Sequence, residues 1–190
     1  PEFPRSTIEV LRQPMEDGRV TISRASGTVI YPSRFMLIAT QNPCPCGFYT
    51  HPDRECRCNI IQRKRYQRKL SGPLLDRIDI HVEVGTLSEK ELTGGADGEL
   101  STIIAQRVAK ARSKQLQPNV QMTNQQIKAH CILSPAAQTL SQQAVTRLQL
   151  SARSYMRLLR VSRSIADLAG SNIITKEHFT EALQYRSREL

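Results

Sequence analysis

The sequence lacks several things a chain of 190 residues often has. No apolar run approaches the ~18 to 20 residues needed to span a bilayer, and no signal-peptide pattern opens the chain. There are no internal repeats and no low-complexity tracts. The chain is therefore read as soluble and cytoplasmic, with 39% hydrophobic residues to supply a core. It also opens without a methionine, on Pro1-Glu-Phe-Pro4, which suggests a piece of something longer with an amino-terminal half missing.

The most telling absence is of acid. From Leu100 to Ala166 there is no Asp or Glu in 67 residues, against ten basic ones: Arg107, Lys110, Arg112, Lys114, Lys128, Arg147, Arg153, Arg157, Arg160 and Arg163. The chain has 27 Lys and Arg against 17 Asp and Glu, so this stretch accounts for the whole formal charge of +10. Such an imbalance in a helical region points to nucleic acid or nucleotide phosphate; the alternative is a solvated surface.

What is present divides into two halves. Ser6 or Thr7 caps an amphipathic helix that Gly18 ends. Arg19–Ser23 and Thr28–Tyr31 flank the small residues Arg24-Ala-Ser-Gly27 as a β-hairpin. Phe35 to Thr40 reads as a buried interior strand, Ile60 to Leu70 as a basic helix, and Ile78–Val84 as an alternating strand. Residues 86–98, acidic and glycine-containing, form a linker. Residues 99–190 are helical in pattern, with helices starting near Glu99, at Thr123, after Ser134-Pro135, after Ser151 and at Thr175. The fold class expected is α/β: the second half of an α/β core in residues 1–85, then an all-helical domain.

Four of five cysteines fall in the loop NPCPCGFYTHPDRECRCN, as the pairs Cys44/Cys46 and Cys56/Cys58. In a reducing compartment disulfides are rare, and four clustered thiols point to a metal site. Four thiolates suit the closed tetrahedral coordination of structural Zn²⁺, with His51 able to replace one ligand. An iron–sulfur cluster takes the same ligands, and a redox loop of free thiols is the competing reading. Arg57 to Lys69 then carries six basic residues and no acid, so a metal at the loop's base would set the direction of a basic helix. Cys131, isolated in apolar surroundings, reads as a small core residue.

Two segments carry more than periodicity: Ile38-Ala-Thr-Gln-Asn-Pro43, and Ser71-Gly-Pro-Leu-Leu-Asp-Arg-Ile-Asp-Ile80. With the hairpin in front, they resemble the second half of a AAA+ ATPase module of the magnesium-chelatase-like type. The runs PEFPRSTIEVLRQPMEDGRVTISRA, LSGPLLDRIDIHVEV and SARSYMRLLRVSRSIADLAG, with the cysteine loop, resemble the bacterial ComM/YifB family more narrowly, over essentially the whole chain.

The resemblance implies a fold, a partial P-loop NTPase core followed by a helical lid, and a set of roles. Asn42 matches sensor 1, which orients water against the γ-phosphate, and Arg77 matches the arginine finger that neutralises charge on the transferred phosphoryl group. Arg77 has an alternative reading as a surface Arg paired with Asp76 or Asp79. Arg153 matches sensor 2, a phosphate contact suited to a guanidinium. Arg157 and Arg160, on the same helix face, are further phosphate or DNA contacts or are solvated. Arg24, at the tip of a pre-sensor 1 hairpin, is a candidate DNA backbone contact, as are Arg63, Lys64, Arg65, Arg68 and Lys69.

No G-x-x-x-x-G-K-[ST] occurs, and the family's Walker B acids are absent. ATP and Mg²⁺ are therefore expected to be held mainly by residues upstream, and this piece alone is expected to be inactive. The function implied is DNA helicase or branch-migration work in transformation and recombination, on single-stranded or branched DNA, by a hexameric ring without membrane association. The alternatives are a chelatase-like or protein-remodelling motor without nucleic acid, and a scaffold that binds nucleotide without turnover.

Overall fold

A computed structural model describes residues 1–87, 89, 93–94 and 98–186 of the chain. The protein is mixed α/β and divides into two compact units: residues 1–78 with 84–86, and residues 79–83 with those from 87 onward. The expected linker, 86–98, lies in large part outside the described residues.

The first unit opens with two short helices, α1 (Arg5–Val10) and α2 (Arg12–Asp17). The helix expected from a Ser6 or Thr7 cap starts earlier, behind Pro4, and no side chain caps it. Gly18 ends α2 in the left-handed conformation at φ 62°, its N–H donating to the Pro14 carbonyl at 3.0 Å. That conformation favours glycine, and a Cβ there would also meet Arg34 Cγ at 3.4 Å. The hairpin follows as β1 (Arg19–Arg24) and β2 (Gly27–Pro32), antiparallel from Arg19 opposite Pro32 to Arg24 opposite Gly27, with Ala25-Ser26 as the turn.

The other two expected strands do not form among the described residues. Residues 35–40 and 78–84 are irregular, and Met36 is 76% exposed, Ile38 81% and Val84 90%. The reason is pairing: a strand's N–H and C=O groups need a neighbour, and among the described residues the sheet consists of β1 and β2 alone. Apolar β-pattern without a partner strand does not make a strand.

Beyond the cysteine loop come α3 (Ile60–Gln67) and the one-turn α4 (Gly72–Leu75). Asn59 caps α3 reciprocally: its side chain accepts from the Gln62 N–H at 2.8 Å, and Gln62 returns the bond to the Asn59 N–H at 3.0 Å. Ser71 caps α4, with Pro73 in the first turn, where its missing N–H costs nothing.

The second unit holds α5 (Ser101–Arg112), a 3₁₀ turn at Asn119–Gln121, α6 (Asn124–His130), α7 (Pro135–Arg147), α8 (Ala152–Leu168) and α9 (Lys176–Gln184). Thr123, Ser134 and Ser151 each accept a backbone N–H three residues on, at 3.3, 3.2 and 3.1 Å, so three of the five expected starts are capped by the residue named for the start. Gly170, left-handed at φ 76°, follows α8.

The core of this unit joins Ile127 of α6, Leu158, Leu159, Val161 and Ala166 of α8, Ile174, and Phe179 and Ala182 of α9. Each large apolar side chain sealed there contributes roughly 1.5–3 kcal/mol. Cys131 belongs to the same cluster, and burial pushes its thiol up to about 11, as suits a core residue. Ser134 N–H to the Ile174 carbonyl and Ile174 N–H to the Ile132 carbonyl, at 2.9 and 2.8 Å, tie together the chain entering α7 and α9. Residues 79–83 pack with this unit, where the His81 N–H donates to the Tyr185 carbonyl at 2.8 Å. Among the described residues no helix is long and apolar enough to cross a membrane.

Candidate metal centre and its basic surroundings

Four thiols meet. Cys44 Sγ lies 3.4 Å from Cys46 Sγ and 3.7 Å from Cys56 Sγ, Cys46 and Cys56 are 3.6 Å apart, and all four sulfurs including Cys58 fall within 4.8 Å of one another. These are non-bonded separations, far above the ~2.05 Å of a disulfide. They approach the ~3.8 Å sulfur spacing that tetrahedral Zn–S bonds of about 2.3 Å require.

Local chemistry makes this convergence. Cys44-Pro45-Cys46-Gly47 is a tight turn closed by the Gly47 N–H on the Cys44 carbonyl at 3.0 Å, with Pro45 presetting φ at its second position and Gly47 left-handed at φ 81°. Both thiols of the first pair are thereby turned to one side. Cys58 immediately precedes the Asn59 cap, so the start of α3 fixes the second pair. Cys44 is fully buried and the other three are half-buried.

The thiols' protons are unequally held. The Phe48 backbone N–H, helped by Cys44, Arg57 and Cys58 against the cost of burial, brings Cys46 down to about 6. Burial pushes Cys58 up to about 11 and raises Cys56 as well. Four sulfurs this close resist carrying charge together unless a cation lies among them. The donor set, number and spacing fit a metal ion.

His51 is not among the converging groups. Its Nδ1 accepts the N–H groups of Asp53 and Arg54, both at 3.1 Å, and its ring meets Phe48 edge-on at 5.7 Å. The Arg54 guanidinium sits 5.3 Å from the Phe48 ring, so Phe48, His51 and Arg54 contact one another within the loop. The histidine shapes the loop.

The loop is also fastened to α3: the Arg63 guanidinium lies 4.2 Å over the Tyr49 ring. Arg63 is thus separated from the other cations of its helix. Lys64, Arg65, Arg68 and Lys69 line an open concavity of about 460 Å³ together with Ile61 and, from α1, Arg5. Arg5 is not legible as a site residue from sequence, because nothing in its local pattern links it to residues sixty positions away.

The remaining site residues are placed as follows. Asn42 is exposed and irregular, and its backbone approaches Tyr66; burial raises the Tyr66 pKa, Glu2 adds to the rise and the Asn42 backbone opposes it. Arg77 pairs with Glu16 of α2, and it also donates to the Pro73 carbonyl at 2.6 Å. Its side chain is 12% exposed. Arg24 is exposed beside the hairpin turn. Asn42 and Arg77 belong to the first unit and Arg153 to the second.

Arg153, Arg157 and Arg160 lie on one face of α8, and Asp79 is set among them: burial raises its carboxyl, against the pull of Arg157, Arg160, Arg153 and His81. Arg160 also donates to the Met122 carbonyl at 2.9 Å. Arg163 is buried, bonding Asp167 at 2.8 Å and the Asn172 and Ser171 carbonyls. Asp167 further accepts from Gln115 and Asn119, at 2.7 and 2.8 Å. Arg107 pairs twice with Glu99, both at 2.9 Å. The acid-free stretch is thus partly compensated from just outside its ends, by Glu99 and Asp167, and from Asp79. A count along the chain could not see this.

Comparison with known proteins supplies the family. The family description "Magnesium chelatase, subunit ChlI" matches residues 1–92, and "Magnesium chelatase, subunit ChlI C-terminal" matches residues 98–186. The competence protein ComM of Haemophilus influenzae is 40% identical over 192 residues, covering 98% of this chain and 37% of that protein. The uncharacterized protein YifB of Escherichia coli is 38% identical over 196 residues, covering 98% and 38%. An uncharacterized protein of Mycobacterium tuberculosis is 37% identical over 193 residues, covering 97% and 38%. The chain spans well under half the length of these curated relatives, and it belongs to the magnesium-chelatase-like family of which ComM and YifB are members.

Proposed function

We propose that the chain is the carboxyl-terminal part of a AAA+ ATPase that assembles as a hexameric ring in the cytoplasm and uses ATP hydrolysis to move single-stranded or branched DNA. The work is helicase action or branch migration during transformation and recombination. The observation that carries this reading is the concentration of cations on α3 beside a thiol-braced loop, in a chain related to a protein named for competence.

In this reading Zn²⁺ is held by Cys44, Cys46, Cys56 and Cys58. Four protein ligands leave no open position, so the ion's chemistry is structural. The loop it closes holds α3 through Tyr49 and Arg63, and α3 presents its cations to phosphate. Arg24 contributes a further backbone contact from the hairpin.

ATP and Mg²⁺ supply the phosphoryl chemistry when bound. Asn42 would orient the attacking water, and Arg153 would contact phosphate from the helical unit. Arg77 serves as the arginine finger, and its pairing with Glu16 holds the guanidinium until a phosphate competes for it.

A second reading is a chelatase-like or protein-remodelling motor without nucleic acid. The internal partners of Arg107 and Arg163 favour it, because they remove part of the surplus charge from the surface. Unwinding of forked and four-way DNA by the full-length protein, with and without ATP across a salt series, separates the two. ATP-dependent unwinding is expected; no DNA binding at low salt selects the second reading.

A further inference from the structure

We propose that Arg5, Lys64, Arg65, Arg68 and Lys69 form a single binding basin for the sugar-phosphate backbone of nucleic acid, and that Arg63 positions this basin without touching the ligand. The inference rests on the DNA reading above and divides its cations by role.

Helical geometry makes the first distinction. Lys64 and Arg65 lie in the last turn of α3, and Arg68 and Lys69 follow in the turn that closes it, where the Arg68 N–H donates to the Lys64 carbonyl at 3.0 Å and the Lys69 N–H to the Tyr66 carbonyl at 3.2 Å, so the four cations are gathered at one helix end. Arg63 precedes them, and its guanidinium is already stacked on Tyr49 at 4.2 Å. Stacking there fastens α3 to the cysteine loop, which leaves Arg63 a positioning residue.

Arg5 makes the second. It comes from α1, at the far end of the first unit's sequence, yet it lines the same 460 Å³ concavity as the four cations in and just after α3. Among the described residues no carboxylate lines that space. The acid of α1, Glu9, pairs with Arg12 at 2.9 Å, and its carboxyl is held below the usual range by Ser71 first and Arg12 next, with a smaller pull from Arg5. Five cations with no carboxylate lining the space they share repel one another, and a bound polyanion removes that repulsion.

The shape of the basin selects the ligand class. Small-molecule sites are enclosed and largely apolar, with a few placed polar groups. This one is open and lined by long, flexible cationic side chains. Ile61, 74% exposed on the same surface, offers an apolar contact to sugar or base. An open cationic surface with an apolar patch suits a strand passing across it.

The test measures anisotropy of a labelled oligothymidylate with the full-length protein between about 50 and 200 mM salt. On a single strand, each phosphate that a cation neutralises adds about 0.7 to the steepness of log K against log salt. Arg5→Gln is expected to flatten the dependence by about that much, Lys64→Ala with Arg68→Ala by about twice as much, and Arg5→Lys not at all. Arg63→Ala is expected to weaken binding at every salt concentration while keeping the wild-type slope. Because Arg5 is exposed, its variants test charge, and circular dichroism confirms that they fold.

A wild-type slope in Arg5→Gln, or a flattening in Arg63→Ala equal to that of Arg5→Gln, overturns the proposal while leaving the DNA reading intact. Competition of the oligomer by ATP with equal potency in wild type and Arg5→Gln supports it, since the nucleotide then binds elsewhere. Relief of that competition in Arg5→Gln makes the basin a nucleotide site and overturns it. Absence of wild-type binding at the lowest salt removes the DNA reading and this inference together.

Discussion

Phe179, Ile127 and Ile174 of the helical unit are sealed from water, whereas Met36, Ile38 and Val84 of the first unit stand 76%, 81% and 90% exposed. By apolar character alone both sets belong in a core. The difference lies in how each backbone type is satisfied. A helix pairs its own N–H and C=O groups and needs only caps and one apolar face against a neighbour. A strand needs another strand, and the first unit has one hairpin among its described residues. Its buried apolar side chains are Ile8, Cys44, Tyr66 and Leu74. The second unit has a packed apolar core, while the first has few buried apolar side chains, one of them a thiol of the cysteine cluster.

Metal removal is the strongest way to sharpen this contrast. Zinc bound by four thiolates contributes roughly 10–16 kcal/mol of apparent free energy in small zinc domains. The purified protein is expected to carry about one zinc per chain. Substituting Cys44 and Cys58 by Ser should remove it by elemental analysis and open the first unit to protease. The helical unit, whose core shares no residue with the loop, should keep its protection. Metal-free wild-type protein would end the zinc reading.

A paired truncation comes next in size. Phe179→Ala empties a fully buried site and should cost about 3–5 kcal/mol in denaturant unfolding. Ile38→Ala, at an exposed position, should stay within about 0.5 kcal/mol of wild type. Equal losses at the two sites would mean that residues 35–40 are packed in solution and that the contrast between the units is false.

The parts legible in sequence are those written in local chemistry. Thr123, Ser134 and Ser151 cap the helices they precede because a hydroxyl reaches a backbone N–H three residues on. The cysteine cluster is legible because a proline-glycine turn and a helix cap position each pair within a few residues. What could not be read depends on distant partners. Arg5 joins the α3 cations, Glu16 takes Arg77, and Asp167 neutralises Arg163 from just beyond the acid-free stretch. The same limit explains residues 35–40, whose apolar pattern specifies a strand only where another strand is available.

The smallest expected effect concerns Asp79, which packs with the helical unit among Arg153, Arg157 and Arg160. Desolvation beside the helical unit raises its carboxyl above the ordinary value near ~3.9 against the attraction of the three guanidinium groups, and because the residue keeps part of its surface in water the effect is small. The folded state therefore holds this proton more tightly than the unfolded state. Its contribution to stability is present at pH below the ordinary value and is lost as pH rises through the raised one. Asp79→Asn removes the charge while keeping the shape. It should raise the melting temperature slightly at pH 7, remove this residue's share of the pH dependence in the acid range, and leave the two proteins equal well below pH ~3.9. A lower melting temperature at pH 7 would show instead that the guanidinium attraction prevails, and that Asp79 holds the α8 arginines together as an ion-paired cluster.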